Sequence, residues 1–116
     1  MKDDLLYITH ILECIARIEK YTLAGREAFF SDSMVTDAVV RNFQTLAESA
    51  KRISPEIRDS SREIDWRALA AFRNVLVHDY LGLDLARIWD IVALDLPALK
   101  QRIEALRERL SPPRSP

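Results

Sequence analysis

The sequence is poor in residues that break helices or cross-link chains. It has 116 residues, with only two glycines and one cysteine, Cys14. Scarce glycine favours a helix-rich domain over a sheet protein with many tight turns. A single cysteine cannot form an internal disulfide, which fits a reducing cytoplasm. No neighbouring residue marks Cys14 as a reactive thiol, so we expect it in the core or at its boundary.

Two further absences limit the kinds of partner. The formal net charge is −1, so no overall basic field attracts nucleic acid, and an RNA substrate would have to meet a local patch. No signal peptide is visible in Met1-Lys2-Asp3-Asp4, and no apolar run is long enough to span a bilayer. We therefore expect a cytoplasmic protein without a membrane partner.

Metal and cofactor chemistry is poorly supported. The two histidines and the cysteine are scattered, at His10, Cys14 and His78, and two ligands one turn apart do not make a metal site. The chain has no glycine-rich phosphate loop, and no serine or cysteine nucleophile stands near a histidine in a known pattern. We expect no metal and no cofactor.

Apolar residues recur at intervals of three and four, which predicts an all-α fold. We expect an antiparallel bundle of about four to five helices in one domain, residues 1–110. The predicted helices are residues 3 to about 23, about 35 to 53, 66 to about 80, and a stripe from Leu85 to Leu110.

The breaks between these helices follow from proline, glycine and polar residues. Residues 25–34 predict a break and residues 55–65 a short turn or loop. Pro97 interrupts the last stripe, so we expect a kink there, or a new helix that Asp95 caps. Residues 111–116 are proline-rich and predict a disordered tail.

The stretch Phe72-Arg73-Asn74-Val75-Leu76-Val77-His78-Asp79-Tyr80 concentrates polar groups in an apolar run. Asp65 before it is a plausible N-cap, and Gly82 after it suits a helix end. Arg73 and Tyr80 are seven residues apart, so they share a face, with about 10 Å of rise. His78 is rotated from Arg73 by roughly 140°, so a straight helix neither forces nor prevents their convergence.

Arg73, His78 and Tyr80 resemble the Arg-x4-His-x-Tyr motif of HEPN-domain ribonuclease toxins of the HepT type. Asn74 directly after the motif arginine also resembles that family. The resemblance covers roughly residues 3–107 and includes three flanking segments, 43–56, 64–67 and 84–89. It implies a HEPN-like helical fold and a ribonuclease.

Arg73 and His78 suit RNA cleavage without a metal. The reaction needs a base for the 2′-hydroxyl, an acid for the leaving 5′-oxygen and a cation over the phosphate. Imidazole can serve as acid or base near neutral pH, and guanidinium grips phosphate with two donors. One chain offers one suitable histidine, whereas a two-fold dimer would offer two. The family resemblance implies the same homodimer.

The resemblance also implies a toxin–antitoxin pair. The partner would be a minimal nucleotidyltransferase antitoxin that silences the toxin by adding AMP to Tyr80. From its position alone, Tyr80 could instead be a boundary aromatic or stack on a base in the cleft.

Plainer interpretations stay open for the same residues. Arg73 could be an ion-pair partner and His78 a helix-end cap. Asn74 could be a core or interface hydrogen-bonding group, or it could support Arg73 or the substrate. Asp79 could be solvated, or it could orient a histidine across the dimer. The alternative function is a non-catalytic helical module that binds a nucleotide or steadies a nucleotidyltransferase partner. A plain dimerisation protein is a third possibility.

Overall fold

The structure, a computed structural model, describes the backbone of residues 2–78 and 85–112 and the side chains of residues 3–72 and 85–112. These residues form helices joined by short turns, without a strand among them, so the predicted all-α class is confirmed. A π-helical segment, Ile91–Asp95, precedes the last helix. The α-helices in chain order are α1 (Lys2–Tyr21), α2 (Arg26–Ser31), α3 (Ser33–Lys51), α4 (Pro55–Ser60), α5 (Trp66–His78), α6 (Leu85–Asp90) and α7 (Leu96–Leu110).

α1 and α3 pack against each other and form the centre of the core. α1 contributes four isoleucines that are 0% exposed, at the spacing that the sequence predicted: Ile8, Ile11, Ile15 and Ile18. α3 contributes a buried stripe that includes Val39, Phe43, Leu46 and Ala50. Both long helices therefore follow directly from apolar periodicity.

A buried carboxylate ties the start of α1 to the end of α3, which makes the two helices antiparallel. Asp4 is 2% exposed. Its Oδ1 accepts a hydrogen bond from the Ser54 N–H at 2.8 Å, and its Oδ2 accepts one from the Ser54 hydroxyl at 2.7 Å. Burial raises the pKa of Asp4, but hydrogen bonds, those from Ser54 foremost, and a nearby positive charge lower it, so that the pKa lies below its ordinary value.

The predicted break at residues 25–34 contains the short helix α2. Gly25 precedes it with a φ of 95°, a left-handed conformation that glycine adopts without strain. Phe29 is fully buried and its ring lies 5.6 Å from that of Trp89, whereas Phe30 is 38% exposed. Of these two adjacent phenylalanines, only Phe29 therefore belongs to the core.

The prediction of a turn or loop at residues 55–65 is wrong for its first half, which is α4. Ser54 caps this helix by accepting a hydrogen bond from the Ile57 N–H at 3.4 Å, and Pro55 occupies the first helical position. Proline suits that position because the first N–H groups of a helix have no partner within it. Six residues were too few to show an apolar period, but the Ser-Pro pair was a usable signal.

Pro97 produces a wide turn where the sequence predicted an interruption. The Leu96 N–H bonds to the Ile91 carbonyl, five residues back, and α7 begins with Pro97 in its first turn. Proline has no N–H to give to the preceding turn, and the π-helical segment accommodates it without breaking the backbone path. Of the two predicted alternatives, a new helix does begin here with Asp95 at its N-cap position, but the Asp95 side chain makes no capping hydrogen bond.

α7 packs antiparallel to α1, because Lys100 near its start bonds to Glu19 near the end of α1 at 3.0 Å. α7 ends at Leu110. In the predicted tail, residues 113–116 lie outside the described residues. Across the described ranges, none of the helices combines the length and the apolar character needed to span a membrane.

Candidate functional site

The helix predicted to carry the motif is α5, and its start is capped as expected. The Asp65 carboxylate accepts a hydrogen bond from the Ala68 N–H at 3.0 Å, which satisfies one of the unpaired donors in the first turn. The helix then runs without a break to His78. Arg73, Asn74 and His78 therefore lie on one continuous helical backbone.

The motif residues are only partly described. The backbone separation of Arg73 and His78 corresponds to about 7.5 Å of rise. The side chains of Arg73, Asn74 and His78 lie outside the described residues, as do Asp79, Tyr80 and the predicted helix end at Gly82. The roles assigned to these five site residues therefore stay predictions.

Two contacts fix the first half of α5 in the bundle. The indole N–H of Trp66, a residue that is 6% exposed, donates to the Ser61 hydroxyl at 2.9 Å, and that hydroxyl donates to the Ile57 carbonyl. Further along, the ring of Phe72 meets the ring of Phe43 on α3 edge to face, at 5.5 Å. Phe72 directly precedes Arg73, so this packing sets the position from which the motif begins.

An open groove of about 630 Å³ lies beside the first half of α5. One wall is α5 with the residues before it, and the other is the π-helical segment with α6 and α7. Its floor is apolar and its rim carries charges of both signs. The lining residues are Ile64, Asp65, Ala68, Leu69, Phe72, Arg87, Asp90, Ile91, Leu94, Asp95, Leu96, Ala98, Leu99 and Arg102.

The sequence did not predict this groove. Its walls come from segments about thirty positions apart, and their separation depends on how α5 and α7 pack. Leu94 was the local signal for an open apolar surface, because it is an apolar residue close to the interruption at Pro97. It is 72% exposed in the structure.

Cys14 is confirmed as a core residue, since it is 1% exposed. Burial raises the pKa of its thiol, which disfavours the thiolate that a nucleophile or a metal ligand requires. Cys14 is therefore a packing residue, and the chemistry must come from other side chains.

Comparison with known proteins identifies the family of this chain. The model of a family described as "Ribonuclease HepT-like" matches residues 11–106, which includes α5 and both walls of the groove. The chain belongs to the HepT-like ribonuclease family. The predicted family and the predicted class of enzyme, a ribonuclease, are therefore confirmed.

Several relatives carry ribonuclease names. A "gamma-glutamylcyclotransferase and putative RNase" of Methanocaldococcus jannaschii is 37% identical over 94% of this chain and 50% of its own length. A "probable ribonuclease HepT" of Thermococcus cleftensis is 35% identical over 88% of this chain and 94% of its own. A "putative RNase" of Caldanaerobacter subterraneus subsp. tengcongensis is 29% identical over 94% of this chain and 98% of its own.

The HepT-like chain thus spans half the length of the first of these relatives and nearly all of the other two. No solved structure matches it at a significant level.

Proposed function

We propose that this HepT-like chain is a metal-independent endoribonuclease that acts as a homodimer in the cytoplasm. The observation that carries the proposal is the family match over residues 11–106 together with one unbroken helix, α5, that includes both Arg73 and His78. RNA is the proposed substrate, and His78 and Arg73 are the proposed catalytic residues.

The proposed reaction needs two proton transfers and one charge contact. One His78 imidazole removes the proton from the 2′-hydroxyl, and the 2′-oxygen then attacks phosphorus. The bond to the 5′-oxygen breaks, and a second imidazole protonates that leaving oxygen. The products are a 2′,3′-cyclic phosphate and a 5′-hydroxyl end. Arg73 balances the negative charge that builds on the phosphate oxygens.

The requirement for two imidazoles is the reason for proposing a dimer. Each chain supplies one motif histidine, and a two-fold axis near the motif helices would bring two His78 and two Arg73 to one cleft. Asn74 would support Arg73 or the substrate in this cleft, and Asp79 would orient a histidine across it.

The direct test is cleavage of RNA by the purified protein in the presence of EDTA. We expect wild-type activity to persist in the chelator. His78→Ala should abolish cleavage, and Arg73→Ala should reduce the rate by about 10²–10³, the usual cost of losing one oriented charge on a transition state.

The chain offers a matched control for each variant. His10 is an exposed histidine on α1, and Arg67 is an exposed arginine in the first turn of α5. His10→Ala and Arg67→Ala should cleave at the wild-type rate. Loss of cleavage in EDTA would show a metal-dependent reaction, and full activity of His78→Ala would exclude the proposed role of His78. Absence of cleavage by the wild type would favour the non-catalytic module.

We also propose that the protein is the toxin of a toxin–antitoxin pair, silenced when a nucleotidyltransferase antitoxin adds AMP to Tyr80. The added phosphate would offer Arg73 an anion in place of RNA and would repel the substrate phosphates. Intact mass after incubation with the partner, ATP and magnesium should show one AMP on the wild type and none on Tyr80→Phe. An adduct on Tyr7 or Tyr21 would remove Tyr80 from this role.

A further inference from the structure

Four of the groove residues lie along one side of α7 and the turn that leads into it. Asp95, Ala98 and Arg102 are exposed and Leu99 is half-buried. We call these four residues the α7 stripe. Their spacing of three, four and seven keeps them on one side of a helix, so they form a continuous surface that faces the open groove.

The charges of the α7 stripe are arranged so that the stripe is complementary to itself. Asp95 and Arg102 are seven residues, or about two turns and about 10 Å, apart. Ala98 and Leu99 occupy the middle, and a line across the helix between them divides the stripe in half. A two-fold rotation relates a second copy to the first when its axis is perpendicular to the helix at this midpoint. Arg102 of each copy then lies opposite Asp95 of the other.

An apolar area adjoins these charges. Leu94 is 72% exposed at the edge of the groove, and Ile91 and Phe72 are only half-buried within it. Burying an exposed leucine side chain favours association, and a two-fold contact buries one such side chain from each copy. The small side chain of Ala98 lets a second backbone approach closely at the centre.

We infer that the groove face is the surface through which two copies of this chain associate. The two α7 stripes run antiparallel, and Asp95 of each copy pairs with Arg102 of the other. This inference rests on the proposed function, because that mechanism requires two chains at one cleft, and it adds the surface and the register of their contact.

The groove rim favours a protein partner over RNA. Its charged residues are Asp65, Asp90, Asp95, Arg87 and Arg102, so aspartates outnumber arginines. A rim of this balance does not attract a phosphate backbone, whereas charges of both signs around an apolar floor suit an isologous contact.

The groove also continues toward the motif. Leu69 and Phe72 line it from α5, and Arg73 follows Leu69 by one helical turn. A second copy seated on the groove would therefore place a seam along the helix that carries Arg73 and His78.

Charge-reversal variants, measured alone and mixed, test the register of the contact. Light scattering would measure mass at micromolar concentration in low salt for wild type, Arg102→Asp, Asp95→Arg and an equimolar mixture of the two variants. We expect a wild-type dimer and at least tenfold weaker association for each variant alone, since each brings like charges together twice. The mixture should recover association, because both of its cross-chain pairs are then opposite in charge. Circular dichroism would confirm that each variant is folded.

Recovered association in the mixture would show that Asp95 and Arg102 pair between chains. A pair within one chain could not be restored by mixing two variants. Arg67→Asp, on an exposed part of α5 outside the groove, is the control and should leave the mass unchanged. A monomeric wild type, unchanged mass in both charge variants, or two weakened variants without recovery would each overturn the inference. Unchanged mass with weakened RNA binding would assign the groove to RNA instead.

The outcome is independent of catalysis, because mass is measured without RNA. A dimer that follows the charge pattern but does not cleave RNA would contradict the proposed function alone. An active dimer that ignores the charge pattern would contradict this inference alone.

Discussion

The interface between α1 and α3 and the groove between α5 and α7 differ in how completely they enclose their side chains. At the first, Ile11 and Leu46 are 0% exposed and the buried Asp4 carboxylate accepts two hydrogen bonds from Ser54. At the second, Leu94 is 72% exposed and charged residues line an open rim. Well-packed apolar contacts supply most of the stability of a domain. The bundle therefore derives its stability mainly from its enclosed side and leaves apolar side chains exposed on the open one.

The largest expected effect is on the enclosed side. Leu46→Ala should lower the free energy of unfolding by about 2–5 kcal/mol, because it removes buried methyl groups and leaves a cavity. Leu23→Ala is the matched control, since Leu23 is 83% exposed, and it should change stability by less than about 0.5 kcal/mol. Urea denaturation of both variants checks the contrast, and equal losses would remove it.

A smaller loss is expected at the start of α5. Ser61→Ala leaves the indole N–H of Trp66 buried without its partner, which costs about 1–3 kcal/mol. Ser60→Ala is the control, because Ser60 is the exposed neighbour and also bonds to the Ile57 carbonyl. Adding Trp66→Phe to Ser61→Ala should cost less than the two single changes together. Full additivity in this double-mutant cycle would argue against the hydrogen bond as the source of the loss.

The effect at Asp4 should depend on pH. The pKa of Asp4 is below its ordinary value in the folded state, so its ionised form stabilises the fold above the unfolded pKa of about 3.9. That contribution is lost as pH falls through the folded pKa. Asp4→Asn should therefore be less stable than wild type by about 1–3 kcal/mol at neutral pH, and the difference should shrink below about pH 4. A difference independent of pH would show that the charge is not responsible.

The sequence predicted the enclosed side better than the open one, for physical reasons. Isoleucines three and four positions apart in α1 bury one face of a helix in almost any bundle. The six-residue helices α2 and α4 are too short to show a period, although Ser54 and Pro55 signalled the start of α4. Pro97 predicted the position at which the last apolar stripe is interrupted. The π-helical segment found there depends on packing with the other helices.

The candidate site divides in the same way. The N-cap at Asp65 and the helix through Arg73 and His78 could be predicted from local residue types, since capping and periodicity act over a few residues. The groove could not, because its shape depends on how α5 packs against the segments that follow it. The proposed pairing of Asp95 with Arg102 between copies could not be predicted either, because it depends on both residues lining the groove.

The central claim is that two chains form one catalytic cleft, and subunit mixing tests it most directly. A fixed amount of wild-type protein is incubated with increasing His78→Ala, with subunit exchange verified by capture of a tagged chain, and RNA cleavage is then measured. If each cleft requires His78 from both copies, activity should fall toward zero as the inactive chain replaces wild-type partners. Activity that stays constant while exchange is complete would show that each chain works alone, and would contradict the shared cleft.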